Sequence, residues 1–113
     1  MSWQNRPSNA LHIIDRASNA QYGLMCGIVE KWMRDSRGWE SDYAKGVRQD
    51  VFGRLNLRQP TSSQARDFLD KYIGRDEDNR YILNQEGQNF IGLTLKTIQE
   101  EAGQTDWVKD LEL

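Results

Sequence analysis

Apolar side chains recur at helical spacing along most of this chain. Tyr22, Met25, Cys26, Val29, Trp32 and Met33 follow an i, i+3, i+4, i+7 pattern, which predicts a helix over about residues 19–34. Gly23 and Gly27 weaken it by about 1 kcal/mol each relative to Ala. Four residues apart on one face, they would also admit a close-packed neighbouring helix. Ahead of this segment, Ser8 is a candidate cap for a short helix carrying Leu11 and Ile14 and extending to Ala17. Whether the two segments fuse at Ser18-Asn19 is left open by the sequence. Asp35-Ser36-Arg37-Gly38 has turn chemistry. Ser41 is then a candidate N-cap for a second long helix with Tyr43, Val47, Val51 and Leu55 on one stripe, and Arg58-Gln59-Pro60 stops it.

Thr61 and Gln64 have the spacing of a capping box, and Ala65, Phe68, Leu69, Tyr72 and Ile73 form an amphipathic stripe that Gly74 closes. Asp76-Glu77-Asp78-Asn79 is too polar to be buried and predicts a turn. Arg80-Tyr81-Ile82-Leu83 suits a pleated surface and predicts a strand, pairing across that turn with residues 72–75. Asn84 is a candidate cap for a further helix with Phe90, Ile91, Leu95, Ile98 and Ala102 as its apolar positions, and Gly103 is suited to follow its end. The tail places Trp107, Val108 and Leu111 at 3–4 spacing. No internal repeat or low-complexity run divides the chain. The expectation is one mainly α domain with a small β-hairpin: N-terminal helices over 1–42, a central unit over 43–102 and a tail over 103–113.

Three helices, a short hairpin and a further helix are the element order of a winged helix-turn-helix. The segment Arg80-Tyr81-Ile82-Leu83-Asn84-Gln85-Glu86-Gly87 resembles the place in winged-helix regulators where the second wing strand runs into the next helix. Tyr81, Leu83, Asn84 and Gly87 carry that likeness, which extends over about residues 43–101. It implies a winged-helix-like domain with extra terminal helices, which could mediate homodimerisation. It also puts 61–71 in the position of a recognition helix, with Ser62, Ser63, Gln64, Arg66, Asp67, Asp70 and Lys71 facing outward. Gln and Arg can bond adenine and guanine edges, the helix start offers free N–H groups to a phosphate, and Arg54 and Arg58 would be backbone contacts. The competing reading of the same pattern is an irregular helical bundle with a hairpin attached.

Charge bears on that choice. The 113 residues carry 15 Lys+Arg and 17 Asp+Glu, for a net charge of −2. Residues 43–80 hold eight basic and six acidic side chains, residues 1–42 balance, and residues 81–113 stand at −4. The candidate reading head is thus the most basic third of an acidic chain. An excess of two is small for phosphate neutralisation, which drives duplex binding. Asp76, Glu77 and Asp78 stand at the wing tip, where DNA binding would favour Lys or Arg.

Catalytic and metal chemistry find little support. The lone Cys26 and lone His12 make neither a disulfide nor a zinc site. Cys26 lies on an apolar stripe away from His12 in sequence, so a nucleophile–base pair is not indicated. Counted from Asp76, an EF-hand loop fails at Arg80, Tyr81 and Gly87. No glycine-rich phosphate loop is present, and no cofactor or enzymatic activity is expected. Trp32 continues the first stripe as a core residue, and Trp39 could plug one end of the core. Trp3 and Trp107 either pack back onto the domain or sit at an interface. Apolar runs are too short for a membrane span and no signal-peptide pattern opens the chain, so a cytoplasmic protein is the expectation.

Two functions follow as expectations. The first is a non-enzymatic regulatory or adaptor protein that binds a protein partner, a basic one, through the acidic wing of Asp76, Glu77 and Asp78, with Trp3 and Trp107 as further contacts. An inhibitory or immunity-type protein falls in this class. The alternative is a transcriptional regulator that reads duplex DNA with Arg54, Arg58, Ser62, Ser63, Gln64, Arg66 and Lys71.

Overall fold

The computed structural model describes residues 16–102, and the expectations for the segment before Arg16, for Trp3 and for Trp107 lie outside the described residues. Within them the chain forms α1 (Asn19–Arg37), α2 (Ser41–Arg54), α3 (Ser62–Tyr72), β1 (Ile73–Arg75), β2 (Tyr81–Leu83) and α4 (Gln85–Ala102). This is a mainly helical domain with one two-stranded antiparallel hairpin.

Helix α1 begins where the sequence left its start open. The Ser18 hydroxyl accepts from the Gln21 N–H at 3.1 Å, and the Gln21 side chain accepts from the Ser18 N–H at 2.9 Å. This reciprocal cap marks Asn19 as a first helical residue. At the other end the helix runs past Arg34, so Asp35, Ser36 and Arg37 are helical where a turn was expected. The Arg37 guanidinium lies 5.0 Å from the Trp32 ring centroid and 5.6 Å from that of Trp39, contacts that accompany the added helical residues. Gly38 alone makes the reversal, at φ 70°, with its N–H donating to the Arg34 carbonyl.

The cap of α2 also differs from expectation. Glu40, not Ser41, is the extended N-cap residue, and its side chain makes no capping bond. The Ser41 hydroxyl instead accepts from Arg34 at 3.4 Å. After Arg54 the chain turns through Asn56 at φ 59°, a conformation Asn tolerates. Leu57 then returns to the core with its N–H on the Phe52 carbonyl at 2.7 Å.

The expected box at Thr61 and Gln64 is present in both directions, at 3.1 and 2.9 Å. Beside it, the chain before α1 pairs with the chain before α3. Arg16 bridges Thr61, and the Ala17 N–H donates to the Pro60 carbonyl. Helix α3 ends because Ile73 turns extended, so Gly74 lies inside β1 rather than closing the helix, and Tyr72 stays helical. Register is Ile73 with Leu83, Gly74 with Ile82 and Arg75 with Tyr81.

The core lies between the four helices, with Met25, Val29 and Met33 of α1 facing Val47, Val51 and Phe52 of α2, Phe68 of α3, and Ile91 and Leu95 of α4. Helix α1 packs on α2, α3 and β2, while α4 packs on α2 and α3. Trp39 is buried as a plug, whereas Trp32 is only half-buried. Gly23 and Gly27 face no neighbour: an added Cβ at either meets nothing within 4 Å, so the expected close helix contact is absent among the described residues. None of the described helices is long and apolar enough to cross a membrane.

Gly87 is where close approach is required. A Cβ there would stand 2.5 Å from the Tyr72 carbonyl oxygen and 2.7 Å from Leu83 Cδ2. Gly87→Ala should therefore destabilise the fold by about 1–3 kcal/mol through overpacking. Gly27→Ala should stabilise it by about 1 kcal/mol through helix propensity. Urea denaturation of the two variants checks both signs.

Candidate interaction surface

A largely buried ion pair between α1 and α2 takes up one of the eight basic residues of the middle third. Arg48 is only 6% exposed. Its Nε donates to Glu30 at 2.8 Å, Nη1 reaches the Tyr22 hydroxyl at 3.5 Å, and its guanidinium lies 5.3 Å from the Phe52 ring centroid. Cys26 completes this cluster on α1. Burial pushes the Cys26 thiol above its ordinary value of 9.0, against the pull of Arg48. Burial also raises the Tyr22 phenol above 10.0, with Cys26 adding to the rise. The thiol is thus kept protonated, which suits packing rather than nucleophilic attack. Among the described residues no three His, Cys, Asp or Glu side chains group as metal ligands.

The residues expected to face DNA divide into several environments. Arg54 is ion-paired with Glu101 of α4. Arg58 folds back over Gly53, donating from Nε to the Gln49 carbonyl at 3.3 Å. Ser62 bonds the Arg16 carbonyl at 3.4 Å, and the Gln64 carbonyl oxygen is occupied by the helix cap. Ser63, Arg66 and Lys71 remain on the exposed face of α3, beside exposed Asp67 and Asp70. That face therefore carries two basic and two acidic side chains.

The hairpin tip is less acidic than its sequence. Asp76 Oδ1 accepts from the N–H groups of Asp78 and Arg80, both at 2.9 Å, so this carboxylate shapes the turn. Asp78 pairs with Arg80 at 2.8 Å, and Arg80 also lies 4.0 Å from Asp76. On the strand beside them, Arg75 stacks over the Tyr81 ring at 4.2 Å and donates to its hydroxyl at 2.7 Å. Glu77 is the exposed carboxylate outside these pairs.

A groove of about 580 Å³ opens between the 55–57 turn, α3 and α4. The sequence reading did not mark it. Leu57 and Phe68 lie at its base, Leu55, Tyr72 and Phe90 line it, and Gln64, Asp67, Asp70 and Lys71 add polar groups. Tyr72 and Phe90 stack face to face, 4.5 Å apart and 4° from parallel. Phe68 meets Tyr72 edge-on at 5.2 Å, which ties this wall to the core. The helical stripes could have suggested it: Tyr72 and Phe90 each lie at the edge of an apolar face. Their proximity depends on the hairpin between them. Elsewhere on α4, Leu93 is exposed to 65%.

Three outcomes are expected from this arrangement. Arg48→Ala strands Glu30 and should cost about 3 kcal/mol by thermal or urea melting, with Arg48→Met plus Glu30→Leu recovering much of the loss. An acid whose pKa is higher in the fold than in the unfolded chain stabilises fully below its unfolded pKa, and that stabilisation is lost as pH rises through the folded value. Stability should thus fall above the ordinary Cys value of 9.0, less steeply in Cys26→Ala, as a pH series of melts would show. Asp76→Ala should cost about 1–2 kcal/mol by removing the acceptor of two backbone N–H groups.

No protein-family model, curated protein or solved structure matches this chain, so its surface chemistry alone bears on what it does.

Proposed function

We propose that this chain is a non-enzymatic protein-binding module of winged-helix-like type, acting as a regulator or adaptor. The observation that carries the reading is the charge on the outward face of α3. Arg66 and Lys71 there are offset by Asp67 and Asp70, all four exposed. Duplex binding draws most of its free energy from cations set against phosphates, and a balanced helix face supplies none in excess. Of the two flanking arginines, Arg54 is already paired with Glu101. Protein interfaces tolerate mixed charge around an apolar patch, and the groove beside α3 has that character.

The fold reading rests on the order of three helices, hairpin and helix, and on the Tyr81, Leu83, Asn84 and Gly87 junction. The DNA-reading alternative keeps one supporting observation. Arg58 has no carboxylate within ion-pair distance among the described residues, and it lies just ahead of the α3 cap. The wing's part in protein binding falls mainly to Glu77, since Asp76 builds the turn and Asp78 is paired. Charge reversal at Glu77 is thus a cleaner probe than reversal at Asp76.

Fluorescence anisotropy with a labelled mixed-sequence duplex separates the readings. No saturable binding is expected at about 50 mM salt, where phosphate contacts are far stronger than at about 200 mM. Binding that weakens steeply with salt and disappears in Arg58→Ala plus Arg66→Ala would establish the DNA reading instead.

A further inference from the structure

The two carboxylates on the rim of the α3–α4 groove differ from those of the wing. Asp76 and Asp78 are engaged by Arg80 or by backbone N–H groups. Asp67 and Asp70 are exposed and have no ion-pair or hydrogen-bond partner among the described residues. Spaced i, i+3 on α3, they share one side of the helix. Lys71 lies with its ammonium 5.5 Å from the Tyr72 ring centroid. The groove thus combines an apolar, aromatic wall with a rim that carries one net negative charge.

We propose that this groove docks a short cationic, amphipathic segment of a partner protein. One large apolar side chain of that segment, of Leu or Phe size, packs against Leu55, Tyr72 and Phe90. Lys or Arg residues flanking it pair with Asp67 and Asp70. The proposal rests on the protein-binding reading and names the partner's chemistry at one site. Charge complementarity selects the occupant. An acidic segment, or the phosphates of a nucleic acid, would bring like charge to a rim whose two carboxylates outnumber its one ammonium. The volume of about 580 Å³ is within the range of about 300–1,000 Å³ typical of ligand pockets. The stacked Tyr72–Phe90 pair is already fixed to the core through Phe68, so the anchor site needs little ordering when it is filled.

The test uses the full chain labelled with ¹⁵N and three synthetic peptides of equal length. One has Leu anchors with Lys flanks, the second has Glu in place of Lys, and the third has Ser in place of Leu. Expected are saturable amide shifts at Gln64, Asp67, Lys71 and Phe90 with the Leu/Lys peptide, at about tenfold higher affinity than with either control. Asp67→Asn plus Asp70→Asn should abolish the preference for Lys over Glu, with an unchanged circular dichroism spectrum. Equal affinity for all three peptides, or no saturable shift, overturns the proposal. Shifts confined to Glu77 and its neighbours overturn the groove but leave a protein-binding module standing. Shifts at the groove on concentrating the protein alone would replace the partner with a second copy. Salt-dependent binding of the duplex would instead overturn the protein-binding reading beneath it.

Discussion

The surface between α3 and α4 depends on how closely α4 enters beside the last turn of α3. Gly87 leaves no room for a methyl group against the Tyr72 carbonyl, and Asn84 fixes the approach with three bonds. Its side-chain nitrogen donates to the Lys71 carbonyl at 2.9 Å, its side-chain oxygen accepts from the Gly87 N–H at 2.8 Å, and its own N–H donates to the Tyr72 carbonyl at 2.9 Å. One residue therefore satisfies the open end of α3 and the open start of α4 together. Only with the two helix ends joined this way do Tyr72 and Phe90 come to stack. The groove is a consequence of that junction.

This explains why the junction was legible in the sequence while the groove was not. Leu83, Asn84 and Gly87 each have a local requirement: a buried strand end, a cap three residues before a free N–H, and a position without a side chain. Such requirements leave a mark at fixed spacing. The Thr61–Gln64 box and the strand-forming run in residues 81–83 were readable for the same reason. The groove needs Leu55, Phe68, Tyr72 and Phe90 from three separate segments, and no spacing along the chain encodes their meeting. The turn expected over Asp35 to Arg37 failed for a related reason. Local turn chemistry there is outweighed by contacts of Arg37 with Trp32 and with Trp39 beyond the helix end.

Charge shows the same division between local and distant information. A count along the chain treats Arg48, Arg54 and Arg80 as equivalent basic residues. In the fold Arg48 is sequestered beneath Tyr22 with Glu30 from another helix, Arg54 meets Glu101 far along the chain, and Arg80 answers two acids of its own turn. Only the last pairing lies within reach of a sequence pattern. Three of the eight basic side chains of the middle third are thus engaged within the protein, which a count along the chain does not register.

The carboxylates that stand out in the sequence and those left open in the fold are different ones. Acidity at the wing tip looked like the binding feature because three carboxylates stand in a row. Two of them are engaged by the turn itself, Asp76 by two backbone N–H groups and Asp78 by Arg80. Asp67 and Asp70 were expected on the outward face of the 61–71 segment, where Arg66 and Lys71 cancel them in a count. A partner does not meet a count. In the proposed docking it meets exposed carboxylates without bonds of their own at the edge of an apolar wall. For a thin-cored domain with mean hydropathy of −0.83, a half-buried aromatic pair held open by a glycine and an asparagine is a costly arrangement to keep at the surface. Covering that pair with a second apolar surface, as in the proposed docking, would remove it from water.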